Sequence, residues 1–262
     1  MKQEERPRTH FVPEYFGNPV HPLTVDLVGC GGNGSIMMSC LASINSALIA
    51  LGKPGLNVTA YDDDEVSEAN LGRQLFAPAD LYCNKADVLV TRFNRIFGTE
   101  WTSVPEKYKF NPQTNIIISC TDNTESRKYI GRMFKAEHKS PAGYGEADEK
   151  KNYYWLDLGN TQTSGQAVLG SKTIKQPHST RFESVDCLPT ITDMFKLTKN
   201  DDEKSGPSCS LAEALEKQDL FINRAVATEA ADLLWKLLRN GHIEVHGFFK
   251  NMEEFRTVPI PV

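Results

Sequence analysis

The residues best suited to chemistry begin with a glycine-rich run, Gly29-Cys30-Gly31-Gly32-Asn33-Gly34. Glycines let the backbone turn tightly and approach phosphate oxygens, and the free amides at the start of a following helix attract an anion. An apolar segment typical of a buried strand precedes the run (residues 23–28), and a helical segment follows it (35–51). The run therefore predicts a nucleotide phosphate site, but it fits nicotinamide and flavin nucleotides as well as ATP.

A second polar segment distinguishes between these nucleotides. It follows the next predicted strand (56–61) and contains Asp62, Asp64, Asn70, Arg73 and Gln74. An acidic residue at this position can bind ribose hydroxyls, as it also would in a NAD-dependent enzyme. The planar fork of Arg73 suits a triphosphate and its leaving pyrophosphate, and Lys85 adds a second positive charge. Either cation alone would be read as a solvated surface residue, but both together after this loop favour a triphosphate.

A third polar segment, Ser119-Cys120-Thr121-Asp122-Asn123-Thr124, follows a buried strand (115–120). The carboxyl edge of a parallel sheet is where ligands bind, so Asp122 can hold a Mg²⁺ ion that bridges phosphates. Asp122 can equally cap the helix that begins near Thr124. The two roles are compatible if Asp122 and Asn123 divide them.

The elements that must position these residues alternate between strand and helix. This order predicts an α/β fold of the Rossmann-like, doubly wound kind, with a mostly parallel sheet. Segments 153–158 and 166–169 predict an added antiparallel part, followed by a helical segment in two pieces (211–239) and a terminal hairpin (242–249 with 255–258). Residues 1–22 are predicted as an irregular arm and 171–210 as a long crossover loop, within a single domain that spans 1–262.

Composition limits the possible partners and the location. The net charge is −5, which argues against a general nucleic-acid or anionic-membrane surface. The N-terminus lacks the apolar segment of a secretory signal, and no apolar run reaches the roughly 18 residues of a membrane span. Six cysteines form no CxxC pair. A cytoplasmic protein with reduced thiols, which binds neither nucleic acid nor membrane, is the expectation.

The three segments, in this order, resemble the ThiF/MoeB/HesA superfamily, whose eukaryotic relatives activate ubiquitin-like proteins. The resemblance covers roughly residues 23–138, and the string DDDEVSEANLGRQLF is its most specific part. Within the superfamily the chain is most similar to the ThiF-related proteins of the PRTRC gene cassette, through the segment PSCSLAEALEKQDLFINRAVATEAADLLWKLL and the terminal hairpin.

The resemblance implies an adenylyltransferase that uses ATP and Mg²⁺. The glycine run would bind ATP, Asp62 its ribose, and Asp122 the metal ion; Asn70, Arg73, Gln74 and Lys85 would orient the phosphates. The carboxyl terminus of a small ubiquitin-like or sulfur-carrier-like protein would attack the α-phosphate. The resemblance also implies a homodimer and, in the PRTRC context, a conjugating-enzyme-like protein as a further partner.

The late cysteines depart from the pattern of the superfamily. Many members hold a structural zinc ion with two CxxC pairs, whereas Cys187 and Cys209 are single here, so no structural zinc is expected. Both are candidates for a second step, in which the acyl group passes to a thiol. Cys209 directly precedes a predicted helix, whose N-terminus lowers a thiol pKa, and Cys187 lies in the crossover loop. Inert thiols remain an alternative for both.

Two other functions remain open. An oxidoreductase that binds NAD(P) or FAD would explain the glycine run and Asp62, but would leave Asn70, Arg73 and Lys85 without roles. A scaffold that binds a ubiquitin-like protein without catalysis would not need a complete set of ATP-binding residues.

Overall fold

A computed structural model describes residues 6–136, 151–197, 213 and 218–262. Its strands are β1 (Arg8–Phe11), β2 (Leu23–Val28), β3 (Leu56–Tyr61), β4 (Thr102–Val104), β5 (Ile116–Ser119), β6 (Tyr154–Asn160), β7 (Ser164–Ser171), β8 (Glu183–Ser184), β9 (His242–Ile243), β10 (Val245–Asn251) and β11 (Arg256–Pro261). Its helices are α1 (Glu14–Gly17), α2 (Gly32–Ala50), α3 (Lys85–Phe97), α4 (Thr124–Lys135), α5 (Ile191–Met194) and α6 (Ile222–Asn240), and short 3₁₀ turns span Glu68–Asn70 and Pro78–Asp80.

Eight strands form the main sheet, in the order β11-β10-β7-β6-β5-β2-β3-β4. The strands from β6 to β4 are parallel to one another, and β7, β10 and β11 extend the sheet with antiparallel pairs. This arrangement confirms the predicted mostly parallel, doubly wound sheet with an antiparallel addition. The terminal hairpin is longer than predicted, because β11 continues to Pro261.

Helices cover both faces of the sheet. On one face α2, α3 and α6 bury a large apolar core, in which Leu27, Met37 and Leu234 are fully buried. On the other face α4 and α5 cover a smaller cluster around Trp155 and Phe134. Asparagines begin α3 and α4: Asn84 Oδ1 accepts from the Asp87 amide, and Asn123 Oδ1 accepts from the Ser126 amide. Side-chain caps of this kind satisfy amides that the helix itself leaves unpaired.

One helix in the described part of the chain, α2, is long and apolar enough to cross a membrane by length and composition alone. This differs from the sequence expectation that no apolar run reaches that length. Buried positions make up 61% of the window concerned, and the helix packs against α6. The burial explains the composition, because a helix enclosed by protein is apolar all round.

The sequence predicted an irregular N-terminal arm, and this prediction is wrong, because the arm contains a strand. β1 lies between β8 and β9 in a separate three-stranded sheet. His10 on β1 is fully buried, with Nδ1 at 2.7 Å from the Val185 carbonyl and Nε2 at 3.1 Å from the Tyr154 hydroxyl. The crossover segment is irregular over most of its described residues, as predicted, but it contains β8 and α5, and Leu188 and Ile191 are buried.

Candidate functional site

The three chemically suited segments meet at one edge of the parallel sheet. β2, β3 and β5 end at Val28, Tyr61 and Ser119, and each is followed by one of the segments. The strand order reverses between β2 and β5, because β3 lies beyond one of them and β6 beyond the other. Such a reversal opens a crevice at the carboxyl edge, where open α/β sheets bind their ligands.

The glycine loop crosses this crevice in contact with its neighbours. Gly29 has a φ of +89°, and a Cβ on it would lie 3.0 Å from the Cys120 carbonyl oxygen. A Cβ on Gly34 would lie only 1.8 Å from the Gly29 carbonyl oxygen. Glycine is therefore required at both positions, because the loop closes on its own backbone and on the loop after β5.

Asp62 connects the glycine loop to the second segment. Its two carboxylate oxygens accept from the backbone amides of Cys30, over 2.5 Å, and of Asp64, over 2.9 Å. Burial raises the pKa of Asp62, while these amides and the charge of Lys85 oppose the rise. A carboxylate has about four lone-pair sites, so acceptor capacity remains for a ribose.

Lys85 is not a solvated surface residue. Its side chain is 10% exposed, and Nζ donates to Asp64 Oδ2 over 2.8 Å. Carboxylate oxygens from Asp62, Asp63 and Asp64 lie within 4.8 Å of one another, a spacing that a divalent cation can bridge. Lys85 therefore places a buried positive charge beside the acidic residues that follow β3, because its Nζ contacts Asp64.

Asn70 and Gln74 are both buried, but they differ in what they contact. Asn70 Oδ1 accepts from the amide and the hydroxyl of Ser67, so this side chain closes the local turn. Gln74 packs beside the glycine loop, where its Nε2 would lie 4.0 Å from a Cβ on Gly31. Of the two, Gln74 faces the loop.

Arg73 is held beside the glycine loop by a residue near the start of α6. Its Nη1 donates to Gln218 Oε1. Its Nε is buried and has no hydrogen-bond partner in the described structure. Burial lowers the pKa of Arg73, because the charged form loses contact with water.

Buried polar atoms without partners concentrate around the crevice. Within the described residues, five of the seven such atoms belong to Asn33, Arg73, Gln74, Thr121 and Asp157. A buried polar atom left unpaired costs about 1–3 kcal/mol, so native proteins rarely leave several together without a ligand. The nitrogen of Arg73 and the hydroxyl of Thr121 can donate to phosphate oxygens, and the amide oxygens can accept from ribose or base. The residues present therefore fit a nucleotide.

Asp122 is exposed on the loop after β5, next to Thr121. The capping role that the sequence left open belongs to Asn123, which accepts from the Ser126 amide over 2.8 Å. Asp122 is consequently not needed to begin α4, and its role as a ligand of Mg²⁺ stays a prediction.

The structure does not bring Cys187 to the crevice. Its Sγ lies 3.4 Å from the Ser171 carbonyl oxygen, and partial burial raises the pKa of the thiol. Ser171 pairs with Tyr154 at the first residue of β6, whereas the crevice adjoins the last, Asn160. The seven residues of β6 span about 20 Å. Cys209 lies outside the described residues.

Several residues at the site were not predicted from the sequence. Asp157 on β6 is fully buried and accepts from Ser119 Oγ, over 2.6 Å, and from Arg127 Nε, over 3.2 Å. Asn160 Oδ1 accepts from Asn33 Nδ2 over 2.9 Å. A charged residue inside an apolar strand indicates a functional or paired side chain, so Asp157 could have been predicted. The side-chain amide of Asn160 carries no comparable signal in the sequence.

Comparisons with known proteins agree on one family. The profile of the ThiF family matches residues 18–259. The ubiquitin-activating enzyme E1 1 of Candida albicans is 26% identical over 220 residues, which are 78% of this chain and 18% of that protein. Human ubiquitin-like modifier-activating enzyme 6 is 30% identical over 124 residues, 41% of this chain and 11% of that protein. The chain thus spans a small part of these curated relatives.

Solved structures show the same fold. E. coli MccB is 15% identical and superposes with a TM-score of 0.56 over 91% of this chain and 62% of its own. MccB has been crystallised with ATP and with MccA. PaaA is 14% identical, with a TM-score of 0.54 over 92% of this chain and 64% of its own.

Proposed function

Since the chain belongs to the ThiF family, we propose that it uses ATP to adenylate the C-terminal carboxylate of a small protein. The proposal rests mainly on Arg73, a partly buried cation whose Nε is itself buried and has no hydrogen-bond partner in the described structure. A buried donor without an acceptor is costly, and a bound triphosphate would supply an anionic acceptor for it.

The residues around the crevice would divide the work of binding. The amides of the glycine loop and the guanidinium of Arg73 would bind phosphate oxygens, and Lys85 would lower the local negative charge. Asp62 would accept from the ribose hydroxyls, and Asp122 is the proposed ligand of Mg²⁺, which would neutralise charge on the phosphates. The carboxylate of the partner would then attack the α-phosphate to give an acyl-adenylate and pyrophosphate. The protein contributes alignment and charge neutralisation.

An open apolar face leads to the crevice and supports a protein substrate. Gly159, Gln166, Phe249 and Val258 are paired in register across β6, β7, β10 and β11, so they share one face of the sheet. Phe249 and Val258 are 40% and 41% exposed within the described structure. The ring of Phe195, after α5, contacts Phe249 with centroids 5.9 Å apart.

The proposed substrate is a small ubiquitin-like or sulfur-carrier-like protein. Its body would rest on this apolar face, and its C-terminal tail would cross Gly159 toward the crevice. Arg127 borders that path: a Cβ on Gly159 would lie 2.6 Å from Arg127 Nη2. Membership of the PRTRC group, a homodimer, a conjugating-enzyme-like partner and a cytoplasmic location are further parts of the proposal, supported by the sequence resemblance.

An oxidoreductase is the weaker alternative. A dinucleotide would use the glycine loop and Asp62, but it would not account for the buried, unpaired Nε of Arg73 in the described structure or for the buried Lys85. The non-catalytic scaffold is disfavoured for the same reason, because a protein that never binds ATP has no use for these charges.

ATP–pyrophosphate exchange tests the proposal. Purified protein is assayed with and without the small proteins encoded beside its gene, and we expect exchange that depends on one of them. Arg73→Ala should abolish the exchange, whereas Arg95→Ala, a change at an exposed position on α3, should not. Absence of both exchange and ATP binding would exclude the enzymatic function and favour the scaffold.

A second step on a cysteine remains part of the proposal for Cys209. Cys209→Ser should retain pyrophosphate exchange and lose any thioester adduct that excess dithiothreitol cleaves by thiol exchange. Survival of the adduct in that variant, and its loss in Cys187→Ser, would assign the step to Cys187 instead.

A further inference from the structure

The segment that leads into α6 lies directly on the glycine loop. Asn223, in the first turn of α6, is 2% exposed. A Cβ on Gly32 would lie 2.6 Å from the carboxamide of Asn223, so the two residues are in contact. Asn223 Nδ2 donates in turn to Gln218 Oε1 over 3.4 Å. The loop is thereby connected to Gln218 through one buried side chain.

The same oxygen of Gln218 accepts from Arg73 Nη1. One carboxamide therefore joins the arginine of the second segment to the residue that packs on the glycine loop. With Nη1 occupied, the opposite side of the guanidinium is left with a buried Nε that has no partner in the described structure. The Nε side of an arginine is one of the two edges that bind phosphate with two parallel hydrogen bonds.

A glutamine suits this position for an electrostatic reason. Its oxygen is a neutral acceptor, so it fixes the orientation of the guanidinium and leaves the full positive charge available to an anion. A carboxylate at the same place would form an ion pair with Arg73 and compete with the phosphates.

We infer that Gln218 is a positioning residue, which orients the Nε edge of Arg73 toward a phosphate group of the bound nucleotide. The inference rests on the proposed function, in that it takes Arg73 as a triphosphate ligand. It extends that function to a residue just before α6, so that the start of α6 and the phosphate site are connected.

Binding of inorganic tripolyphosphate to the full-length chain, measured by calorimetry, tests the inference without a protein substrate. We expect Gln218→Ala to weaken binding about tenfold, the effect of one misplaced charge-assisted hydrogen bond. Gln218→Glu should weaken binding further, because it neutralises Arg73. Gln113→Ala, the same change at an exposed position before β5, should leave binding unaltered.

A double-mutant cycle separates positioning from a structural role. In an Arg73→Ala background, Gln218→Ala should have no further effect on tripolyphosphate binding, whereas a general loosening of α6 would give additive losses. Equal binding by wild type and Gln218→Ala, or additive losses, would overturn the inference. Tripolyphosphate binding with the expected cycle but no adenylation of any substrate would overturn the proposed function and leave the role of Gln218 intact. Failure of the wild type to bind tripolyphosphate would overturn both.

Discussion

Replacement of Arg127 by methionine measures what the buried ion pair with Asp157 contributes to stability. The side chains of Arg127 and Asp157 are 12% and 1% exposed. Methionine retains most of the side-chain volume and removes the charge, after which the Ser119 hydroxyl is the one donor to Asp157 that remains among the described residues. Removal of one partner of a buried pair costs about 3–5 kcal/mol, against a typical free energy of unfolding of about 5–15 kcal/mol.

The loss should depend on pH. Burial raises the pKa of Asp157, and Arg127 opposes that rise. Without Arg127 the pKa of Asp157 climbs further above its unfolded value, and the folded state binds a proton more readily than the unfolded state. The stability of the variant then increases as pH falls. The cost of Arg127→Met should therefore be largest at about pH 7 and smaller at about pH 5.

Denaturant unfolding at the two pH values provides the measurement. Lys128→Met is the matched control, since it removes a positive charge from an exposed position of the same helix and should change stability by less than about 0.5 kcal/mol. A cost for Arg127→Met below about 1 kcal/mol, the range of surface pairs, would refute the reasoning. So would a cost that is the same at both pH values.

Three further predictions concern the loop, a buried carboxyl group and a thiol. Gly34→Ala should abolish ATP binding in calorimetry, because its Cβ would lie 1.8 Å from a backbone oxygen, whereas Gly17→Ala, with no atom within 4 Å of its Cβ, should bind normally; normal binding by Gly34→Ala would contradict the loop geometry. Burial raises the pKa of Asp26 from 3.8 to about 7, so wild type loses stability as pH rises between these two values, whereas Asp26→Asn does not titrate. The variant should therefore gain stability relative to wild type from about pH 4 to about pH 7, and the difference should stay constant above that range; a pH-independent difference in unfolding experiments would contradict this. Cys187→Ser should leave pyrophosphate exchange unaltered, because Cys187 lies at the opposite edge of the sheet; a loss of exchange would place the thiol in the reaction.

The parallel half of the fold was predictable because its signals are local. Its longer strands are apolar or alternate between apolar and polar residues, and the residues that follow β2, β3 and β5 carry the chemistry. The N-terminal strand was not predictable in this way, because its partners are distant: His10 contacts Val185, 175 residues along the chain. Four residues among prolines carry no periodic pattern that would indicate a strand.

The residues of the candidate site also divide into those with local signals in the sequence and those without such signals. The glycine loop follows β2, Asp62 and Arg73 follow β3, and Lys85 begins α3. The topology of a parallel sheet brings these residues together. Gln218 and Asn223 join them from a distant part of the chain, since Arg73 and Gln218 are 145 residues apart. A neutral amide in a helical segment carries no sequence signal of such a contact.

The most direct test of the central claim is whether ATP is consumed at a free carboxylate. The protein is incubated with ATP, Mg²⁺ and its small-protein partner, and intact mass is measured for the partner with a free C-terminus and for the same partner with a C-terminal amide. We expect an adenylated mass and pyrophosphate release for the free carboxylate alone. Adenylation of both forms, or of neither form when ATP is bound, would contradict it.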